Sequence, residues 1–301
     1  MAVTQGLASG LATLVGILER EKRRGLETVA LSSASQRLLR EIPNQLRAKK
    51  TVPSPAATIP APATRSIIPS PSPAVPGPPA GDGDRSEVWR RQELNAIFKR
   101  VKTAPEPRAL GSLFETVVFA VGNPCAEIVF VGEAPGAEEE DQKKPFAGPA
   151  GQKLDQILKA MGSKREDVYI SNIVKFRPKK GDGRFQGSTN RPPTQEEMAS
   201  CLPYIRAEIE VVRPRVIVAL GRTAAEGLLE KGGSLASFRN VDHHFAGIPV
   251  IVTHHPSYLL RQEAASAEEG KRAKRQVWED MLLVMERAGL TISEKQRNYF
   301  L

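Results

Sequence analysis

Four short apolar runs, "EIVFV" (127–131), "VYIS" (168–171), "RVIVAL" (215–220) and "PVIVT" (249–253), alternate with segments of helical period. The segments between them are "AGQKLDQILKAMG", "TQEEMASCLPYIRAEIEVV" and "RTAAEGLLEK", and "AEEGKRAKRQVWEDMLLVMERAG" follows the last run. A strand that is apolar throughout has no face to offer water, so it must be covered on both sides. Strands of this kind alternating with amphipathic helices predict an α/β fold. We expect a three-layer α/β/α sandwich around a central, mostly parallel four-stranded sheet. Ligands of such sheets gather beyond the carboxyl ends of the strands, which is where the chemistry is to be sought.

Upstream, the composition changes twice. In residues 1–50, Leu7, Leu11, Leu14, Val15 and Leu18 fall on one helical face, which predicts an N-terminal helical extension. Ten of the 24 prolines lie in residues 51–84, among Ala, Ser and Gly. That mixture cannot bury enough apolar surface to order a core, so 51–87 reads as an extended linker. A globular domain is expected over 88–301. The N-terminal helix is then either a docking or self-association element on a tether or a packing addition to the main domain.

No apolar stretch approaches the roughly 20 residues of a membrane span, so no membrane partner is expected. The two cysteines, Cys125 and Cys201, cannot build a disulfide framework, which suits a reducing cytoplasm. A net charge of +9 favours an acidic partner such as nucleic acid, though a basic soluble protein has the same balance.

Against that positive excess, the turn after the first strand holds Glu133, Glu138, Glu139, Glu140 and Asp141. Packed carboxylates repel phosphate, so this is no phosphate cradle. The same turn carries Gly132, Ala134 and, further on, Phe146. Asn172 follows the second strand, "GRTAAE" the third, and "HHPSYLLR" (254–261), with His255, the fourth. Taken singly, each has a bland reading: a turn asparagine, a core phenylalanine, a loop-capping histidine. Converged on one rim, they make a pocket for a flat, polar, uncharged ring. Phe146 can stack on it, Asn172 can pair with a donor–acceptor edge, and His255 can donate to a carbonyl. An enzyme that holds a base extruded from DNA needs these features.

The segments "VFAVGNPCAEIVFVGEAPGAEEEDQKKPFAGPAG", "SNIVK", "RPPTQEEMASCLPYI", "VIVALGRTAA" and "VIVTHHPSYLLR" together resemble the uracil-DNA glycosylase superfamily, in its family 4, bacterial and archaeal type. The resemblance covers roughly residues 90–288. It implies a DNA repair enzyme of base excision, a hydrolase acting on N-glycosyl bonds. By position it implies that Gly132, Glu133 and Ala134 line the base pocket and that Glu139 is the functional carboxylate, with Glu133 the alternative. It likewise implies Phe146 as the stacking ring, Asn172 as the uracil-reading amide and His255 as the group serving uracil O2. Pro256, Ser257, Leu259, Leu260 and Arg261 match the loop that enters the duplex. Leu259 is the expected wedge, Leu260 the alternative, and Arg261 a phosphate contact.

The chain departs from the family pattern in three places. The pattern has four cysteines for an iron–sulfur cluster; here Cys201 matches one, Phe176 replaces another, and Cys125 matches none. We therefore expect no cofactor and no metal, with apolar packing around Phe176 and Cys201 in the cluster's place. An inserted "KKGDGRFQGST" (179–189) suits a flexible loop near DNA through Lys179, Lys180 and Arg184, or else surface decoration. It has no histidine, so the covalent attachment to uracil sites seen in one branch is not expected. Ala134 stands where better-known members carry Asp, which leaves open whether Glu139 or Glu133 handles the water.

The expected activity is therefore excision of uracil from DNA by a monomeric, monofunctional glycosylase that leaves an abasic site. Two other readings stay open: a damage-binding module with little or no cleavage, and a glycosylase shifted to hypoxanthine or xanthine.

Overall fold

The computed structural model describes residues 86–300. The helix expected in 1–50 and the linker expected over 51–87 fall outside that range, except for Ser86 and Glu87. The described chain begins with α1 (Glu87–Lys102), whose first turn is capped by Ser86 accepting from the Trp89 N–H at 3.2 Å. Then come α2 (Pro105–Ala109), β1 (Leu113–Val117), β2 (Val121–Gly122) and β3 (Ile128–Gly132). The acidic turn forms α3 (Ala137–Gln142), followed by α4 (Pro149–Met161), a 3₁₀ turn at Arg165–Asp167, β4 (Tyr169–Asn172) and β5 (Phe176–Pro178). The second half holds α5 (Gln195–Val212), β6 (Val216–Leu220), α6 (Arg222–Leu229), α7 (Leu235–Phe238), β7 (His243–Phe245) and β8 (Ile248–Thr253). It closes with α8 (Pro256–Ala265), α9 (Ala267–Ala288) and α10 (Glu294–Arg297).

β4, β3, β6 and β8 are the four strands expected from the apolar runs, and they pair in parallel in that order. Two short antiparallel strands, β2 and β7, extend the sheet to six by pairing with β4 and β8. A separate antiparallel pair joins β1 to β5. These added strands span only 2 to 5 residues, too short to display a hydrophobic period.

Alternation along each strand feeds two cores. Val129, Val131, Ile217 and Ala219 face a layer with Ile205 and Ile209 of α5 and Val101 of α1. Ile128, Phe130, Val216 and Val218 face the opposite layer, with Leu154 and Leu158 of α4 and Trp278 and Met281 of α9. Withdrawing each of the valine, leucine, isoleucine, phenylalanine and methionine side chains from water contributes roughly 1.5–3 kcal/mol. The sheet is thereby fixed in register, and with it the relative height of the strand ends. From β3 the chain passes to β4 on one side, then crosses to β6 on the other. The β3–β6 boundary is the switch point at which loops diverge and leave a crevice.

Candidate active site

The loops leaving β3, β4 and β8 and the segment before α5 enclose a cavity of about 340 Å³, within the roughly 300–1,000 Å³ of small-ligand sites. Its lining includes Glu133, Ala134, Glu139, Phe146, Asn172 and His255, with Asn190, Arg191, Ser257 and Arg261 around them. Because β3 and β4 end in register, Gly132 lies beside Asn172. A Cβ at position 132 would stand 2.3 Å from the Asn172 Oδ1 and 2.6 Å from the Phe146 Cζ. Glycine there is what lets the ring and the amide close together over the strand end.

Phe146 is buried and holds φ at +53°, a conformation that costs a non-glycine residue about 1–3 kcal/mol. Its carbonyl accepts from the Arg165 Nη2 at 2.5 Å, and Arg165 is itself paired with Asp155 at 2.5 Å. The brace offsets the strain and fixes the ring at the cavity wall. The His255 ring lies 5.7 Å from it between centroids, tilted by 30°.

Asn172 hangs from a buried polar network. Its main-chain carbonyl accepts from the Lys175 Nζ at 2.8 Å, and Lys175 pairs with Glu208 at 2.5 Å, both side chains fully buried. Glu208 also accepts from the hydroxyls of Tyr169 (3.0 Å) and Ser171 (2.8 Å). Burial and the Glu208 charge push the Tyr169 phenol well above its ordinary range, so it serves as a donor. The end of β4 is thus locked from beneath.

His255 is the N-cap of α8. The Ser257 N–H donates to its Nδ1 at 3.2 Å, with the Ser257 Oγ at 2.8 Å. A backbone N–H can only donate, so Nδ1 is the acceptor and the ring proton sits on Nε2. Burial, aided by the Arg261 charge, lowers the pKa to about 4. At neutral pH the residue is an uncharged imidazole with one N–H to give.

The two candidate carboxylates differ in their ties. Glu139 accepts from the Gly136 N–H at 3.1 Å and from the Gly148 N–H at 2.9 Å, clamping the turn after β3 to the start of α4. Each oxygen keeps a lone pair for the cavity. Burial raises the pKa of Glu133, opposed by the Thr223 hydroxyl and the Arg261 and Arg222 charges. Thr223 belongs to α6, so this contact crosses the switch point. Of the remaining acids, Glu140 pairs with Arg177 at 3.2 Å, and Glu138 and Asp141 are exposed.

Within the segment expected to enter DNA, the placement of Leu259 differs from the expected wedge. "PSYLLR" is the opening of α8, and helical geometry turns Pro256 and Leu259 inward. Leu259 is 1% exposed within the α4–α9 core layer, so it cannot serve as a wedge without leaving that core. Leu260 is half-buried, and Arg261 is exposed, donating from Nη1 to the Ser257 Oγ at 3.3 Å. The inserted loop also differs from a loose one. The Lys179 Nζ donates to the Gly111 carbonyl at 3.2 Å, while Lys180 and Arg184 are exposed, and none of the three lines the cavity.

Sequence reasoning missed Asn190, Arg191 and the part played by Ser257. Arg191 is held by Glu197 at 2.6 Å, and Glu197 closes a capping box with Thr194 at the start of α5. The Thr-x-x-Glu pattern at 194–197 was a readable signal that the preceding residues are pinned.

The sequence model of the Uracil DNA glycosylase superfamily matches residues 119–282. A type-4 uracil-DNA glycosylase of Thermotoga maritima is 45% identical over 181 residues, 59% of this chain and 88% of the relative. One of Pyrobaculum aerophilum is 35% identical over 185 residues, again 59% of this chain and 88% of the relative. One of Archaeoglobus fulgidus is 49% identical over 106 residues, 35% of this chain and 49% of the relative.

These likenesses overturn the expectation of no cofactor, because the type-4 branch is the one whose pattern carries an iron–sulfur cluster. The donors of this chain do not fit the four-thiolate form of that group. The sequence has two cysteines, Cys125 exposed and Cys201 buried. Among the described residues no three of His, Cys, Asp and Glu stand together as ligands. Phe176, at a ligand position of the pattern, is buried in the same core layer as Cys201, with the Arg108 guanidinium 5.7 Å from its ring.

The matched region contains the whole sheet from β3 to β8 and every residue lining the cavity: the chain belongs to the uracil DNA glycosylase superfamily.

Proposed function

We propose that this chain hydrolyses the N-glycosidic bond of uracil turned out of DNA, leaving an abasic site, with water as the nucleophile. The observation that carries the reading is the Phe146–Asn172–His255 grouping on one cavity, with the His255 proton held on Nε2. Phe146 stacks on the extruded ring and Asn172 pairs with its donor–acceptor edge. As the C1′–N1 bond breaks, its electron pair goes to the base and positive charge grows on the sugar. The His255 Nε2–H then donates to the carbonyl oxygen that gathers the negative charge. Glu139, fixed by two backbone donors, faces the developing cation and orients the water that adds to C1′. That water's proton passes to carboxylate or solvent, and the uracil anion is protonated on release. No lysine is required as a covalent nucleophile, so strand scission is not part of the reaction.

Basic residues outside the cavity hold the DNA backbone while the acidic turn faces sugar and base. Extrusion costs a few kcal/mol, less for a mismatched pair, so U:G and single-stranded uracil should be preferred to U:A. On its cysteine usage we place the protein in the reducing cytoplasm. No helix among the described residues is long and apolar enough to cross a membrane.

The test is incubation of the purified protein with an oligonucleotide containing one uracil, single-stranded or opposite G or A, followed by alkaline cleavage of abasic sites. Excision that disappears in Asn172→Ala supports the proposal. Binding without excision of uracil, hypoxanthine or xanthine would replace it with a damage-binding role.

A further inference from the structure

Phe185 is 97% exposed, more than any other large hydrophobic side chain among the described residues. A single exposed apolar residue means little by itself, but the setting of this one is specific. It stands in the loop between β5 and α5, and that loop is built rather than slack. Gln186, itself buried, donates to the carbonyls of Pro178 and Thr189, both at 2.9 Å, and accepts from the Lys180 N–H at 2.6 Å. Arg177 donates to the carbonyls of Gly187 (2.6 Å) and Thr189 (3.0 Å) and to the Asn190 Oδ1 (3.1 Å). The Arg177 and Lys179 cations also sit over the Phe114 ring, 5.4 and 5.7 Å from its centroid. These contacts close the loop from inside and leave the phenyl ring in water.

Charge and position narrow the ligand. Lys180 and Arg184 of the same loop are exposed, and its acid, Asp182, pairs with Arg184 at 3.1 Å. An exposed aromatic face in a basic loop is the combination that takes an unpaired base and its phosphate. The loop runs straight into Asn190 and Arg191 of the cavity wall. Five residues span at most roughly 17 Å, about five nucleotide steps at 3.4 Å each. The ring is therefore within a few nucleotides of a base held in the cavity.

We propose that Phe185 is a stacking platform for an unpaired base neighbouring the extruded uracil, with Lys180 and Arg184 on the adjoining phosphates. The proposal rests on the uracil-excision reading. It predicts that the loop favours single-stranded or locally opened DNA over intact duplex.

The experiment compares wild type, Phe185→Ala, Phe185→Leu and Phe185→Trp in steady-state excision of uracil from single-stranded and U:G duplex oligonucleotides. Anisotropy binding to a uracil-free single strand runs beside it. Base–aromatic stacking corresponds to about a ten-fold effect. The expected result is a KM about ten-fold higher on single strands for Phe185→Ala and Phe185→Leu, a smaller change in kcat, and recovery in Phe185→Trp. The same order is expected in anisotropy. Leucine matching phenylalanine, or alanine matching both, overturns the platform, since apolarity or nothing would then suffice. A wild type that excises no uracil defeats the function proposed above. In that case the anisotropy series alone decides the platform: loss in Phe185→Ala with recovery in Phe185→Trp keeps it, and equal binding removes it.

Discussion

The Ser257 backbone N–H donates to the His255 Nδ1 at 3.2 Å, and this bond decides that the ring's proton sits on Nε2. Removing a donor of this kind from a developing oxyanion costs about 10²–10³-fold in kcat. His255→Ala should lose that much in single-turnover excision with little change in DNA binding. Protonation below the pKa of about 4 takes the Nδ1 lone pair from Ser257, so excision should hold from neutrality down to about pH 5 and fall through pH 4. A profile that instead falls through pH 6.5 would show that His255 is not desolvated.

The same histidine couples pH to stability. Its pKa is depressed in the folded protein from 6.5 to about 4, as is that of His254, chiefly by burial. Between those values the unfolded chain binds more protons, so the contribution is complete above pH 6.5 and is lost as pH falls toward 4. Urea titrations should show stability declining by up to about 1.4 kcal/mol per pH unit for His255 in that window, and by less for the more solvent-screened His254. His255→Gln should flatten the slope.

Lys175 tests whether the end of β4 is locked from below. Its ammonium meets Glu208 at 2.5 Å with both side chains fully buried, and it donates to the Asn172 carbonyl. Lys175→Met leaves Glu208 as an unpaired buried charge and should cost about 3–5 kcal/mol in urea unfolding. Adding Glu208→Leu should return most of that stability while leaving excision impaired, because Asn172 has still lost its support. Full recovery of both would reduce the pair to a packing element.

The sheet and the strand-end residues were legible because burial on both faces writes itself as unbroken apolar runs and one crossover rule then places the loops. Phe146, Asn172 and His255 could be put on one rim without coordinates for that reason. What could not be read was direction within an element. Leu259 and Leu260 are adjacent in sequence, and only the helical start at Pro256 decides that Leu259 faces the core. Nor does any local pattern announce that the Glu139 carboxylate bridges Gly136 and Gly148, since one partner lies nine residues away.

That distinction between the leucines is itself measurable. Leu259→Ala should destabilise the protein by about 2–5 kcal/mol, as deletion of a buried leucine does. Leu260→Ala should leave stability nearly unchanged and weaken excision from U:G duplex more than from a single strand, where there is no stack to enter. Equal loss on both substrates would remove Leu260 as a wedge.

The acidic turn supplies the sharpest comparison. Both Glu139 oxygens accept backbone N–H groups, so a glutamine there keeps one bond, turns its NH₂ toward the other donor and loses the charge. Glu139→Gln should therefore lose about 10²–10⁴-fold in excision, the usual range for a group that orients water. Glu133 is half-buried with its pKa raised by burial and with Thr223 at hand, so neutralising it removes less. Glu133→Gln should fall by about ten-fold or less. Single-turnover rates on one uracil oligonucleotide separate the two, with circular dichroism to confirm that each variant is folded. A larger loss at position 133 would move the water-orienting task across the switch point, to the carboxylate that meets α6, and leave Glu139 as the clamp between the turn and α4.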